Sequence, residues 1–287
     1  MLGPLLPSQA RAQASTQPWP KYHRIVSLKP NLTEILFALG VGDALVGVTT
    51  FCDEPPEARK IDKVADYIQP DLEKIVMKRP DLIVTSQENS SKREIFFLKD
   101  RGYKVLTLEA EDFGELRKTL SVLGEELGRA ERARELIQTL DTELSALKEK
   151  VRRLFPEESA RPTALFVVGH QPIVVAGGGN IFDEAAPYLG LRNVAGKNRF
   201  QYPTYSLEMV MAANPDFILD FSMGSEAQRQ EVLKGWARYP ALKAVKNGKI
   251  FFIDMGKMRV TPRLPRELAK LFEMIHNPVL VPSPPPK

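Results

Sequence analysis

Two distant stretches of this chain repeat each other, and that repeat limits the fold more than any other feature. Residues 71–84 read DLEKIVMKRPDLIV and residues 206–219 read SLEMVMAANPDFIL. At one constant offset Leu72 meets Leu207, Glu73 meets Glu208, Pro80 meets Pro215, Asp81 meets Asp216 and Ile83 meets Ile218. Each copy opens on a capping residue, Asp71 or Ser206. A short amphipathic helix follows, then Pro-Asp, then an apolar strand. Two further pairs occur in the same order: Phe37–Gly42 with Pro187–Arg192, and Arg101–Val105 with Asn247–Phe251. Helix–Gly–strand units look alike in any α/β protein, but an ordered series of them implies two lobes of similar architecture. Twin lobes create a cleft and hold two carboxylates, Glu73 and Glu208, at matched helix starts.

The whole chain is compatible with that organisation. Its 287 residues have room for two domains, and 43% hydrophobic with 26% charged residues is the composition of a soluble globular protein. A net charge of +4, from 40 basic against 36 acidic residues with no basic stripe, is not the footprint of a nucleic-acid binder. No stretch is apolar for the length a membrane span needs. A single cysteine, Cys52, excludes an internal disulfide and reads as a small buried side chain. Three scattered histidines (His23, His170, His276) show no ligand spacing, so a bound metal ion is not expected.

At the N-terminus Ala12-Gln13-Ala14 fits the small-x-small pattern before a signal-peptidase cut, without a charged and apolar lead-in before it. The expectation is a leader remnant over 1–22 and export to the periplasm. No Cys follows the putative cut, so a lipid anchor is not expected. Pro278, Pro282, Pro284, Pro285 and Pro286 predict an extended tail over 278–287.

Between these ends, strands alternate with helices, which argues for mostly parallel sheets. An N-terminal lobe is expected over 23–128. It has strands near 23–28, 45–48, 82–85 and 104–108, a helix capped by Asn31 or Thr33, and helices near 91–101 and 111–127. Ala130–Phe155 contains neither Pro nor Gly and carries Ala133, Leu136, Ile137, Leu140, Leu144, Leu147 and Val151 at helical spacing. A helix of this length, about 39 Å, midway between two similar halves, reads as a rigid strut over 129–156. A second lobe over 157–277 repeats the pattern. The fold class is therefore α/β, two Rossmann-like lobes with mostly parallel sheets joined by one long helix.

A catalytic reading finds no support. Gly177-Gly178-Gly179 lacks the following Lys-Ser or Lys-Thr of a phosphate loop and reads as a flexible turn. No nucleophile elbow or zinc-protease motif is present. Ligands of open α/β sheets bind at the loops after the strands. Those loops hold Lys29, Phe51, Tyr67, Ser86 and Gln87 in the first half. In the second they hold His170, Gln171, Tyr202, Tyr205, Ser222, Met223 and Arg259. Aromatic faces, amides and single cations suit a large, partly flat polar ligand.

Several segments together resemble a known family. They are Ser27–Gly40, Val46–Thr49, Asp53–Pro56, Leu72–Ile75 and Arg79–Ile83. They are similar to the helical-backbone substrate-binding proteins of ABC importers, the vitamin B12 and ferric siderophore group, over about residues 23–277. The resemblance implies two lobes on one long helix, a cleft that closes only slightly, a monomer, and no intrinsic cofactor. It also implies docking to a transmembrane permease through one glutamate per lobe, Glu73 and Glu208. Its corrinoid-binding members imply cleft aromatics near Phe51, Tyr67 and Tyr202 and a cleft arginine at Arg259. Here Ser86 stands where such members carry a tryptophan, and Lys29 adds a cation. The transported ligand expected is a corrinoid, with a ferric chelate or haem as the alternative. An enzyme on the same frame, or a binder of free metal ions, would need a phosphate loop, an acid–base set or clustered histidines, and none is evident.

Overall fold

The computed structural model describes residues 21–66, 69–222 and 226–277. Residues 1–20 of the expected leader, Tyr67, Met223 and the proline-rich tail lie outside the described residues, whereas Lys21 and Tyr22, also counted in that leader, are described, Tyr22 being buried. The first half runs β1 (Ile25–Ser27), α1 (Pro30–Ala38), β2 (Leu45–Thr49), β3 (Lys63–Ala65), α2 (Leu72–Met77), β4 (Leu82–Thr85), α3 (Gln87–Ser90), α4 (Arg93–Asp100), β5 (Val105–Thr107) and α5 (Phe113–Glu126). Its strands lie in the order β3-β2-β1-β4-β5, and every pair is parallel. After α6 (Ala130–Leu154) come β6 (Thr163–His170), β7 (Ile173–Val175), α7 (Ile181–Ala185), β8 (Arg192–Asn193), β9 (Thr204–Tyr205), α8 (Leu207–Ala213), β10 (Phe217–Asp220), α9 (Glu226–Ala237), α10 (Lys243–Lys246), β11 (Ile250–Phe252) and α11 (Leu264–His276). The second sheet has the order β11-β10-β6-β7-β9, with β8 on β6.

The sequence repeat is a structural repeat. The parallel run β1-β4-β5 is matched by β6-β10-β11. The Asp71 carboxylate accepts the Lys74 N–H at 3.1 Å, and the Ser206 hydroxyl accepts the Met209 N–H at 3.3 Å. Both helices stop on a residue with positive φ, Arg79 (φ 46°) and Asn214 (φ 41°), immediately before the paired prolines. An L side chain in this left-handed region costs about 1–2 kcal/mol, so the same strained stop at both positions marks one local geometry used twice. Each proline then denies the next turn its N–H donor.

The long helix forms as its spacing requires. Ala133, Leu136, Leu140, Leu144, Leu147 and Val151 are all buried, and they make one stripe along the 25 residues of α6. That stripe belongs to a single apolar cluster that also takes in Leu116, Leu120 and Leu123 of α5 and Leu264, Leu268, Leu271 and Phe272 of α11. The cluster reaches both sheets, through Val84 on one side and Phe166 and Leu219 on the other, so the strut is welded to both halves by burial.

Two local expectations are corrected. Asn31 and Thr33 do not cap α1; Lys29 is its N-cap residue without a side-chain bond, and Pro30 takes the first turn, where its missing N–H costs nothing. Asn31 Nδ2 instead donates to the Ala110 carbonyl at 2.9 Å, and Thr33 donates to Ser27 Oγ at 2.8 Å. The triple-glycine segment is a packed crossing and not a flexible turn. A Cβ on Gly177 would lie 2.1 Å from the Phe200 carbonyl oxygen, and one on Gly178 would lie 2.5 Å from that of Gly196. Consistent with the mostly parallel sheets expected, β7 and β9 add only an antiparallel edge that the sequence did not indicate, β7 pairing with β6 and β9 with β7. Two- and three-residue strands are too short to show alternation in sequence.

Candidate ligand-binding cleft

The C-terminal ends of the two sheets face each other, because loops leaving them meet at two places. At the first, Lys29 after β1, Glu88 in α3, and Glu109, Glu111, Asp112 and Glu115 after β5 share a cavity of about 470 Å³ with Gly179, Asn180, Ile181, Gln201 and Tyr202 of the second half. Lys29 Nζ lies 2.5 Å from Glu111 Oε1 and 3.7 Å from Glu109 Oε2. Burial works to lower the Lys29 pKa, but the bond to Glu111 and the charges of Glu111, Glu109 and Glu88 outweigh it and hold it above the ordinary value. The cation is thus spoken for, and the cavity wall carries an acidic excess. Three of the acids are tied down locally: Asp112 accepts the Glu115 N–H at 2.7 Å, Glu115 accepts the Glu111 N–H at 2.8 Å, and Glu109 accepts the Gln87 N–H.

At the second meeting place the segment after β11 reaches the loop after β2. Arg259 Nη1 donates to Glu34 at 3.2 Å and to Asp53, and its Nη2 donates to the Phe51 carbonyl at 3.2 Å. Arg263 holds the same Glu34 through Nε at 2.6 Å and Nη2 at 3.2 Å. Glu34 is 7% exposed and lies on α1 of the first half. Burial tends to lower both arginine pKa values and to raise that of Asp53, but the ion pairs prevail, so the arginines lie above and Asp53 below their ordinary values.

The residues singled out in the sequence are distributed as follows. Lys29 and Tyr202 line the shared cavity; Tyr202 is exposed, as are Phe51 and Gln87. Phe51 and Arg259 meet through the Phe51 carbonyl. Ser86 is fully buried under the sheet end and caps α3 by accepting the Asn89 N–H at 3.4 Å. His170 ends β6, where Nε2 sits 2.6 Å from Oδ2 of the fully buried Asp220. The other Asp220 oxygen accepts Ser222 N–H at 2.9 Å and Ser222 Oγ–H at 2.5 Å. Glu73 and Glu208 are both exposed in the first turns of α2 and α8. Bonds from Ser206 and from its own backbone N–H hold Glu208 below the usual carboxylate range.

Comparison with known proteins explains this architecture. The profile of the periplasmic binding proteins matches residues 25–255. The chain belongs to the periplasmic binding protein family. It is 31% identical over 258 residues, 88% of this chain and 80% of the relative, to the ABC transporter substrate-binding lipoprotein YvrC of Bacillus subtilis. It is 31% identical over 196 residues, 68% of this chain and 71% of the relative, to the vitamin B12-binding protein of Salmonella choleraesuis. Among solved structures, a possible iron-binding periplasmic solute-binding protein from Staphylococcus epidermidis superposes with a TM-score of 0.78 at 28% identity, over 90% of this chain and all of that one.

As a periplasmic binding protein of the vitamin B12, haem and siderophore type, the chain is the capture component of an ABC transporter. Sequence reasoning missed Glu34, Asp53 and Asp220 as site-shaping residues. The first two lie inside the motifs that carry the family resemblance, Thr33-Glu34-Ile35 and Asp53-Glu54-Pro55. Their partners, more than 200 residues away, could not be read from spacing. For Asp220 the signal was a charged residue closing an otherwise apolar strand, Phe217-Ile218-Leu219-Asp220.

Proposed function

We propose that this periplasmic binding protein captures a corrinoid, cobalamin-like in its amide-fringed ring, and delivers it to an ABC permease through Glu73 and Glu208. The carrying observation is the charge of the shared cavity. Five carboxylates line it, and among the described residues Lys29 is its one lining cation, already engaged by Glu111 and Glu109. A corrinoid presents primary amides whose N–H groups donate to carboxylates in charge-assisted bonds, and its ring edge carries no free acid. A haem brings two propionates. At a separation of about 7 Å and an effective dielectric of about 40, each propionate–carboxylate pair costs about 1 kcal/mol, and several act together. Exposed Phe51 and Tyr202 offer flat apolar faces for a macrocycle. The vitamin B12-binding relative supports the same reading.

A ferric siderophore or haem is the second reading, favoured by the likeness to the possible iron-binding protein. Titration of the purified protein with cyanocobalamin, cobinamide, haemin and a ferric catecholate, followed by quenching of tryptophan emission, separates the two. Trp236 is buried with its ring centroid 6.4 Å from that of His170, so it reports from the second half's side of the cleft. Saturable quenching by the corrinoids at lower concentration than by haemin is expected. No saturable response to either corrinoid removes the proposal.

A further inference from the structure

We infer that Arg259 is a positioning residue that latches the Phe51 loop of the first half onto the second half, and so sets one wall of the cleft without touching the ligand. This rests on the cleft reading above for its effect on binding, but the latch itself rests on geometry. All three of the observed contacts of the guanidinium run to the other half of the chain: Glu34 on α1, the Asp53 carboxylate and the Phe51 carbonyl. These span Phe51 to Asp53, the turn in which Cys52 N–H bonds the Thr49 carbonyl at 3.2 Å. With its side chain 19% exposed, Arg259 is mostly buried against these three partners.

Its neighbour Arg263 anchors the far side. Arg263 grips both oxygens of Glu34 and the Gly256 carbonyl at 2.7 Å, which pins the turn over Met255–Met258 that precedes Arg259. A shared buried carboxylate with two arginines therefore fixes the angle between the two strand-end loops. Fork-shaped guanidinium contacts are directional, so the loop is held in orientation as well as in place. Arg59, which donates to the Asp53 carbonyl at 2.9 Å, braces the loop from within its own half.

The roles of latch and ligand contact separate in a double-mutant cycle. Arg259→Gln, Asp53→Asn and the double variant would be compared for amide hydrogen exchange at Phe51 and Cys52 without ligand, and for cyanocobalamin affinity. Glu34 keeps Arg263 in every variant, so the fold is retained, and unchanged exchange in β1 and β4 verifies this. A latch predicts faster exchange at Phe51 and Cys52, by about tenfold or more, in Arg259→Gln. It also predicts that both single variants weaken cyanocobalamin and that the double variant is no worse than the weaker single. Unchanged exchange at Phe51 and Cys52 overturns the latch whatever ligand binds. A loss of affinity in Arg259→Gln that recurs in full on the Asp53→Asn background overturns it in favour of direct ligand contact. Absence of cyanocobalamin binding in the unmodified protein would count against the corrinoid reading alone, and the exchange experiment would still decide the latch.

Discussion

Asp216 repeats in the second half what Asp81 does in the first. The Asp81 carboxylate accepts the N–H groups of His23 and Arg24, at 2.7 and 3.0 Å, just before β1. The Asp216 carboxylate accepts Thr163 N–H and Thr163 Oγ–H, both at 2.8 Å, at the start of β6. Each aspartate also donates its own N–H to the chain opposite, to the Arg24 and Thr163 carbonyls, at 3.0 Å in both cases. The Pro-Asp step of the repeat thus staples the entry of one strand to the entry of its neighbour.

Removal of either staple should therefore have the same consequence. A hydrogen bond to a charged acceptor contributes about 1.5–3 kcal/mol. Asp81→Ala and Asp216→Ala are each expected to lower stability by about that amount in denaturant unfolding, with little change in the slope. A large loss in one and none in the other would show that the two carboxylates are not equivalent.

The glycines at the crossing make a second pair of contrasting expectations. Gly177→Ala drives a methyl into the Phe200 carbonyl oxygen and is expected to cost at least about 1–3 kcal/mol, the usual price of overpacking. Gly235 lies in α9 with nothing within 4 Å of an added Cβ. Gly235→Ala should stabilise by about 0.5–1 kcal/mol through reduced freedom of the unfolded chain. Thermal melts of the two variants should move in opposite directions, and a tolerated Gly177→Ala would refute the packed crossing.

What sequence could reveal follows from what is local. Helix α6, both caps at Asp71 and Ser206, and the parallel frame were legible because period, capping and punctuation lie within a few residues of each other. The antiparallel edge formed by β7 and β9 was not, because its strands are two or three residues long, far apart in sequence, and brought together beside the crossing at Gly177. At the cleft, the strand-end loops were foreseeable, but the electrostatics were not. Lys29 read as an added cation among the loop residues until the folded chain brought Glu111 and Glu109 to it, and Arg259 met Asp53 only through tertiary structure.

A buried histidine carries a pH dependence. His276 closes α11 among Phe155, Phe217 and Phe272, with Nε2 2.8 Å from the Leu189 carbonyl. Burial lowers its pKa below 6.5, with the nearby Lys249 adding to that and the Leu189 bond and Glu273 only partly opposing it. The unfolded chain therefore binds this proton more readily than the folded one. Stability from His276 is complete above about pH 6.5 and falls as the pH drops through the depressed folded value. Between pH 7.5 and 5 the melting temperature of the wild type should fall further than that of His276→Gln, which keeps a donor for Leu189. Equal falls in the two proteins would rule out His276 as the source.

The proposed docking role of Glu73 and Glu208 would tie the sequence repeat to transport. Glu73 and Glu208 are exposed at the same position of equivalent helices, and each has a methionine exposed on its own helix, Met77 or Met209. Permease arginines meeting such carboxylates would form charge-assisted pairs of about 1.5–3 kcal/mol each, so the loss of one weakens docking roughly 10- to 100-fold and the loss of both multiplies these factors. Because neither residue lines the cavity shared by the two halves, ligand affinity should be unchanged. Glu73→Ala with Glu208→Ala is thus expected to bind cyanocobalamin like the wild type while uptake into cells or proteoliposomes is abolished, with each single variant intermediate. Glu131→Ala, which removes an exposed acid from α6, serves as the control that leaves both untouched. Undiminished uptake by the double variant would mean that the two carboxylates mark the repeat without serving the permease.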